Sequence, residues 1–258
     1  MRVNYDKIAH LYDSTPHRGK EVDPYLQTFL AERGGTAVPL CILDLGCGTG
    51  SQLVANLAYV PEAAFVGLDL FVGMLRQAQT KSGAIHWLQG SSSNIPFATN
   101  SFDYISNQFS FHHVQDKAGM LAGVYRVLRA NGRFVMQNIA PREMPAWVYY
   151  HYFPTAYTLD LSHYLTLAEL QTRLSDIGFV NIQLERNHFH YEQDLAQFLA
   201  LVQDRLAASQ LIAISDADYE AGLQRVVEDV NGRNSPTFTS EICLITLCAD
   251  KPGESDAF

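Results

Sequence analysis

Three glycines at alternate positions in Asp44-Leu-Gly46-Cys47-Gly48-Thr-Gly50, and a carboxylate 19 residues further on at Asp69, are the residues of this chain best suited to chemistry. Glycine lets the backbone turn sharply and approach a ligand with no side chain between them. Asp69 closes the apolar run Ala64 to Leu68, and a carboxylate at such a strand end accepts hydrogen bonds from the two hydroxyls of a ribose. Together these point to an adenosine-containing ligand. Spacing and charge separate the candidates. A dinucleotide site uses GxGxxG and turns a helix N-terminus toward a diphosphate. Here the glycines read GxGxG, and Asp44 ends the preceding strand. A carboxylate repels a diphosphate but suits the ammonium of a methionine moiety. The expected ligand is therefore S-adenosylmethionine, leaving S-adenosylhomocysteine as product, with Asp44, Gly46, Cys47, Gly48, Gly50 and Asp69 as contacts.

His112 and His113 follow the fourth predicted strand in Phe109-Ser-Phe-His-His-Val114. Ligands of open α/β sheets bind at the carboxyl ends of strands. Both histidines are candidate general bases for a hydroxyl or amine acceptor, His112 the stronger; the bland alternative is a histidine bonded to its own loop. Methyl transfer from a sulfonium is an in-line displacement with a neutral leaving group, so alignment can supply much of the rate. Between Pro141 and Tyr164 aromatics cluster, and no charge occurs from Pro145 to Leu159. Trp147, Tyr150 and Tyr157 are read as lining a pocket for an apolar or aromatic acceptor, against the alternative that they only pack a cap.

These residues need elements to position them. Helical spacing of Tyr5, Ile8, Ala9 and Tyr12 predicts a helix over Tyr5 to Tyr12, and a second is expected from Pro24 to Arg33. Cys41 to Leu45 reads as a buried first strand. Strands then alternate with helices: Gln52 to Ala58 helical, Ala64 to Leu68 extended, Gly73 to Lys81 helical, Ile85 to Leu88 and Phe102 to Ser106 extended, Lys117 to Leu128 helical, Arg133 to Asn138 extended. That alternation implies a parallel sheet covered on both faces. Beyond it are a helix at Leu167 to Ile177, a strand at Val180 to Leu184, helices at Leu195 to Ala208 and Asp216 to Val230, and a last strand at Ile242 to Ala249. The expected fold is α/β, a doubly wound, Rossmann-like, mainly parallel seven-stranded sheet with an antiparallel edge strand and an inserted helical cap. We read one domain over 1–258, with a helical lid at 1–36, a core at 37–140, an aromatic cap at 141–166 and a C-terminal half at 167–258.

Four segments in order resemble class I S-adenosylmethionine-dependent methyltransferases, in the group related to ubiquinone/menaquinone C-methyltransferases and many natural-product methyltransferases. LDLGCGTG (Leu43 to Gly50) is similar to the family's cofactor loop and GLDL (Gly67 to Leu70) to its ribose strand end. NIPFATNSFDYI (Asn94 to Ile105) and VYRVLRANGRFV (Val124 to Val135) are similar to its two later segments. The resemblance implies that Leu70 and Asn107 join the cofactor contacts and that the N-terminal YD segment folds over the cofactor. In that lid Tyr12 would lie against the cofactor, and Arg18 would pair with the methionine carboxylate. It departs from the family where an acidic residue usually faces adenine: Ser91 or Ser92 must serve. The family's acid after the fifth strand, partner to a catalytic histidine, is here Asn138. The turn Ala130-Asn131-Gly132 replaces a proline and glycine, and Asn tolerates left-handed geometry.

A net charge of −9 and no Lys/Arg cluster argue against nucleic acid and an RNA methyltransferase. The four cysteines form no CxxC pair, and no metal is expected. Residues 1–20 are polar and no apolar run spans a membrane, so no signal peptide and a cytoplasmic location are expected. The partner expected is a small-molecule acceptor; a homodimer is compatible with the sequence. Two rivals remain at this stage: an NAD(P)-dependent oxidoreductase, and a protein that binds S-adenosylmethionine without transferring its methyl.

Overall fold

Apolar runs become strands and amphipathic runs become helices in the computed structural model of the chain, which describes residues 4–10, 12–14, 20–34, 39–232 and 236–253. In chain order the elements are α1 (Pro24–Glu32), β1 (Cys41–Leu45), α2 (Ser51–Tyr59), β2 (Ala64–Asp69), α3 (Val72–Lys81), β3 (His86–Gln89), β4 (Phe102–Gln108), α4 (Lys117–Val127) and β5 (Leu128–Ile139). There follow α5 (Val148–Tyr152), α6 (Pro154–His163), α7 (Leu167–Ile177), β6 (Val180–Asp194), α8 (Leu195–Val202), α9 (Ser209–Ala213), α10 (Asp216–Gly232) and β7 (Thr237–Asp250). Two compact units result, one of residues 4–138, 167–185 and 246–253, the other of 139–166 and 186–245. The aromatic cap and the helices after β6 share a unit.

The sheet runs β3-β2-β1-β4-β5-β7-β6, with β1 to β4 wholly in the first unit. Strands β1 to β5 pair in parallel. Strand β7 alone is reversed: as β5 advances from Asn131 to Ala140, its bonded partner falls from Lys251 to Cys243. It lies inside β6, which forms the edge. β1 is buried along nearly its whole length, as expected of a strand covered on both faces. Ile42, Phe65, Tyr104 and Val135 pack against Leu26 and Phe29 of α1 and Leu53 of α2. Asp23 starts α1: its Oδ1 accepts from the Tyr25 N–H at 3.0 Å, Pro24 needs no donor partner, and Oδ2 accepts from the buried Tyr104 hydroxyl at 2.7 Å. The two later family-like segments prove to be clamps. Arg126 donates to the carbonyls of Ile95 and Phe97, and Asp103 takes Arg129 at 2.6 Å, Arg33 at 3.2 Å and the Cys41 N–H at 3.0 Å. Asn131 adopts φ 60°, but it lies within β5 and not in a turn before that strand.

The expected helix over Tyr5 to Tyr12 is corrected to two short 3-10 turns, Tyr5–Lys7 and Tyr12–Ser14. Its polar groups bond elsewhere: Asp6 Oδ1 accepts from the Gly73 N–H at 2.6 Å and Asn4 caps the Asp6 N–H. The expected helix to Ala208 stops at Val202, where the Asp204 carboxylate accepts from the Leu206 N–H and starts a separate turn.

In the second unit Val148 donates its N–H to Ser240 Oγ at 3.0 Å, tying α5 to β7. Tyr152 donates to Asp229 of α10 at 2.8 Å, and Tyr219 of α10 donates to the Val202 carbonyl at 2.8 Å. These bonds satisfy tyrosine hydroxyls that the aromatic packing would otherwise strand.

Candidate functional site

Chain winding reverses between β1 and β4: β1 leads outward to β2 and β3, β4 to β5. Ligands of doubly wound sheets bind at such a reversal, outside the carboxyl ends of the strands. Register places Asp44 there, beside Gly67 of β2 and Ser106 of β4.

The loop after β1 carries its glycines at φ 72°, 55° and 74° for Gly46, Gly48 and Gly50, a region L side chains rarely adopt. Four of its backbone donors are spent on the protein. Gly46 and Cys47 donate to the Leu68 carbonyl at 2.7 and 3.2 Å, Gly50 to the Cys47 carbonyl at 2.9 Å, and Gly48 to Asp69 Oδ2 at 2.8 Å. Such a loop has little left with which to cradle a diphosphate.

What the site offers instead is acceptors. Asp69 Oδ1 takes the Phe71 N–H at 2.8 Å, so each carboxylate oxygen holds one backbone donor and retains room for another. Burial raises its pKa, against the lowering effect of those backbone bonds. Asp44 is 3% exposed and accepts from Ser106 Oγ at 2.8 Å. Burial pushes its carboxyl up from 3.8 to about 7, while Ser106 and the charge of Lys20 pull the other way. Asn107, at the carboxyl end of β4, donates Nδ2 to the Leu45 carbonyl at 2.6 Å and to Ser110 Oγ at 2.5 Å, yet its buried Oδ1 has no hydrogen-bond partner among the described residues. A buried acceptor left so costs about 1–3 kcal/mol, and a ligand donor would relieve it. A Cβ at Gly48 would meet nothing within 4 Å among the described residues.

Leu70 and the turn bearing Ser91 and Ser92 flank Asp69. The Gly90 N–H donates to the Asp69 carbonyl at 2.9 Å, Gln89 Nε2 to the Leu70 carbonyl at 3.2 Å, and Ser91 Oγ caps the Ser93 N–H. The N-terminal turns reach the same region. The Tyr5 ring lies 6.2 Å from Tyr12 and 5.5 Å from Phe71, and Asp13 accepts from Thr49 Oγ1 at 2.6 Å. Arg18 lies outside the described residues. Lys20, which sequence reasoning missed, donates to Gln108 Oε1 at 2.9 Å and is the cation nearest in effect to Asp44; nothing in a polar N-terminal stretch singles out one lysine.

His112 is buried, with Nδ1 3.4 Å from Asn138 Nδ2, so the position where the family carries an acid does meet this ring. An amide, unlike a carboxylate, brings no negative charge to stabilise a protonated ring. His113 faces the lid: its Nε2 is 2.8 Å from the Tyr5 hydroxyl. Tyr5 is another residue that sequence reasoning passed over. Trp147, Tyr150 and Tyr157 belong to the second unit, the Tyr150 ring lying edge-to-face with Trp147 at 4.9 Å and tilted against Tyr157 at 4.8 Å. The Tyr150 hydroxyl donates to buried Asp160 at 2.7 Å.

The family described as "Methyltransferase domain" matches residues 43–136, from the middle of β1 to β5. A demethylmenaquinone methyltransferase of Lactiplantibacillus plantarum is 29% identical over 213 residues, 72% of this chain and 87% of that one. Residues 43–136 carry a methyltransferase domain. The chain is similar to enzymes named demethylmenaquinone and ubiquinone/menaquinone methyltransferases. A demethylmenaquinone methyltransferase of Chlorobaculum tepidum is 31% identical over 55% of this chain, which spans 61% of that relative's length. Among solved structures, phosphoethanolamine N-methyltransferase 2 of Haemonchus contortus, in complex with S-adenosyl-L-methionine, superposes with TM-score 0.61 at 16% identity, over 96% of this chain and 57% of that one. That likeness is one of fold. No helix among the described residues is long and apolar enough to cross a membrane.

Proposed function

We propose that the chain transfers a methyl group from S-adenosylmethionine to a small apolar, ring-bearing acceptor, of the kind named in its quinone-methylating relatives. The observation that carries this reading is the character of the crevice. Four loop donors are spent internally, while Asp44, Asp69 and Asn107 Oδ1 present acceptors. Acceptors suit an ammonium and ribose hydroxyls, and the two carboxylates repel a diphosphate. When bound, S-adenosylmethionine supplies an electrophilic methyl on a sulfonium. Asp44 and Asn107 would take the amino group, Asp69 the ribose, and the Ser91–Ser92 turn the adenine side, with Tyr12 and Leu70 covering the flanks. Calorimetric titration tests it: S-adenosylhomocysteine should bind and NAD should not. Binding of NAD alone would overturn the assignment.

His112 we place as the residue that positions the acceptor. Its partner Asn138 is a neutral amide that cannot stabilise an imidazolium, so the ring is placed to hydrogen-bond the acceptor rather than to remove its proton. His112→Ala should lower kcat about tenfold and leave S-adenosylhomocysteine affinity unchanged. An unaltered kcat would make the residue structural. The chemistry fits work on small molecules in the cytoplasm.

Asp44 makes the cofactor step pH-dependent. Its carboxylate must be ionised to meet an ammonium, and its folded pKa stands near 7. Affinity should therefore fall by up to about tenfold per pH unit below 7, a slope that Asp44→Asn removes. The stability of the ligand-free fold runs the other way. A raised carboxyl pKa contributes stability that is fully present below 3.8 and lost as pH rises through about 7. Affinity flat from pH 5.5 to 8 would show that Asp44 does not face the ammonium.

A further inference from the structure

In the second unit, three side chains of different ligand chemistry converge. Glu143 ends the turn after β5, His188 lies on β6 and Cys243 on β7. His188 and Cys243 sit opposite each other on neighbouring strands, four residues along from the bonded pair Glu192 and Thr239. Their ligating atoms all lie within 4.8 Å of one another. His188 Nε2 is 3.5 Å from Glu143 Oε2, Cys243 Sγ is 3.6 Å from His188 Nε2 and 3.8 Å from Glu143 Oε2.

Those lengths discriminate. A good N–H···O bond measures about 2.7–3.2 Å, and the histidine–glutamate contact exceeds it. A tetrahedral ion with metal–sulfur bonds of about 2.3 Å and metal–nitrogen and metal–oxygen bonds of about 2.0–2.1 Å has ligand–ligand edges of about 3.3–3.6 Å. The three observed separations are near those edges. The supporting groups are also in place. Arg186 Nε holds Glu143 Oε1 at 3.2 Å, so Oε2 is the oxygen turned to the other two ligands, the outer-shell arrangement that orients a metal carboxylate. The Cys243 N–H is 3.4 Å from Met144 Sδ, which fixes the strand behind the thiol.

We propose that Glu143, His188 and Cys243 form a zinc site with three protein ligands and a fourth position open to solvent. Thiolate and imidazole select a borderline-soft ion over magnesium or calcium. With side chains 43% and 30% exposed, His188 and Glu143 leave the approach wet, whereas Cys243 is buried beneath. On binding, the sulfur–hydrogen bond of Cys243 gives way to a sulfur–zinc bond and the proton leaves to solvent. The sequence reading expected no metal because the ligands are 55 positions apart between His188 and Cys243, far from any short ligand spacing.

Titration of the chelator-treated full chain with Zn2+ against a chromophoric chelator should give one tight site per chain, with Ca2+ and Mg2+ failing to compete. Co2+ in its place should give a thiolate-to-metal charge-transfer band. Cys243→Ser should abolish that band. His188→Ala should weaken zinc binding by more than about 100-fold, since loss of an outer-shell partner alone costs 10–100-fold; His190→Ala and Cys248→Ser should bind as wild type. No charge-transfer band in the wild-type chain at saturating Co2+, a result that needs no variant to fold, would overturn the proposal, as would zinc affinity unchanged in folded His188→Ala.

Discussion

Asp69→Ala should weaken binding of S-adenosylhomocysteine about 100-fold, or about 2.7 kcal/mol. Two losses combine. The ribose hydroxyls lose a charged acceptor, with hydrogen bonds to ionised groups contributing about 1.5–3 kcal/mol each. The glycine loop also loses its tether, because Asp69 joins the Gly48 N–H after β1 to the Phe71 N–H after β2. A ligand must then order a loop that the wild-type chain holds ready. The fold itself is spared part of this, since a carboxylate whose pKa is raised by burial costs the ligand-free protein something to keep ionised. Asp69→Asn separates the two effects: its amide oxygen can still hold one backbone N–H, so about tenfold should be lost. The check is calorimetry at pH 8 on all three proteins, with circular dichroism to establish that each is folded. Asp69→Ala within threefold of wild type would remove the ribose assignment while leaving the fold untouched.

The parts of this site legible from sequence were those whose chemistry requires special residue types. Only glycine enters the loop geometry cheaply, so Gly46, Gly48 and Gly50 announce it. An acid at the end of an apolar strand is unusual enough to mark Asp44 and Asp69. Helix limits were readable where a cap stands, as at Asp23-Pro24, and the end of the helix before Gly178 was correctly placed. The lid was not legible. Tyr5, Ile8, Ala9 and Tyr12 have helical spacing, but their segment keeps only short i to i+3 turns and bonds across to Gly73 and His113. Long-range polar contacts leave no period. The same reason hides Lys20 opposite Gln108. The outer halves of β6 and β7 escaped for a different cause. From Glu185 to Asp194 almost every side chain is exposed, so no apolar face alternates along the strand. Register along that stretch is what sets His188 against Cys243, which is why the cluster with Glu143 appears only in three dimensions.

Two alanine substitutions one turn of the loop apart should have opposite signatures, and they test the orientation of the loop most severely. At Gly50 an added Cβ would lie 2.3 Å from Trp87 Cη2 and 2.8 Å from Cζ3. The indole cannot swing aside easily, because its Nε1 donates to the Ser82 carbonyl at 3.0 Å and Gly67 presses against the same ring. Left-handed backbone costs an L residue about 1–2 kcal/mol, and overpacking a closed site about 1–3 kcal/mol more. Gly50→Ala should therefore destabilise the fold by about 2–5 kcal/mol, seen as a lower urea midpoint with or without ligand. At Gly48 the backbone is also left-handed, φ 55°, but the Cβ would meet nothing within 4 Å among the described residues. Gly48→Ala should cost only the backbone share, about 1–2 kcal/mol, while its methyl group intrudes where the loop meets the proposed ligand. Its S-adenosylhomocysteine affinity should fall at least about tenfold, as for an unrelieved steric intrusion of about 1.4 kcal/mol or more. Wild-type affinity in Gly48→Ala would mean that the ligand approaches from elsewhere. A stable Gly50→Ala would mean that Trp87 is not locked beneath the loop, and that the rigidity ascribed to the crevice has another source.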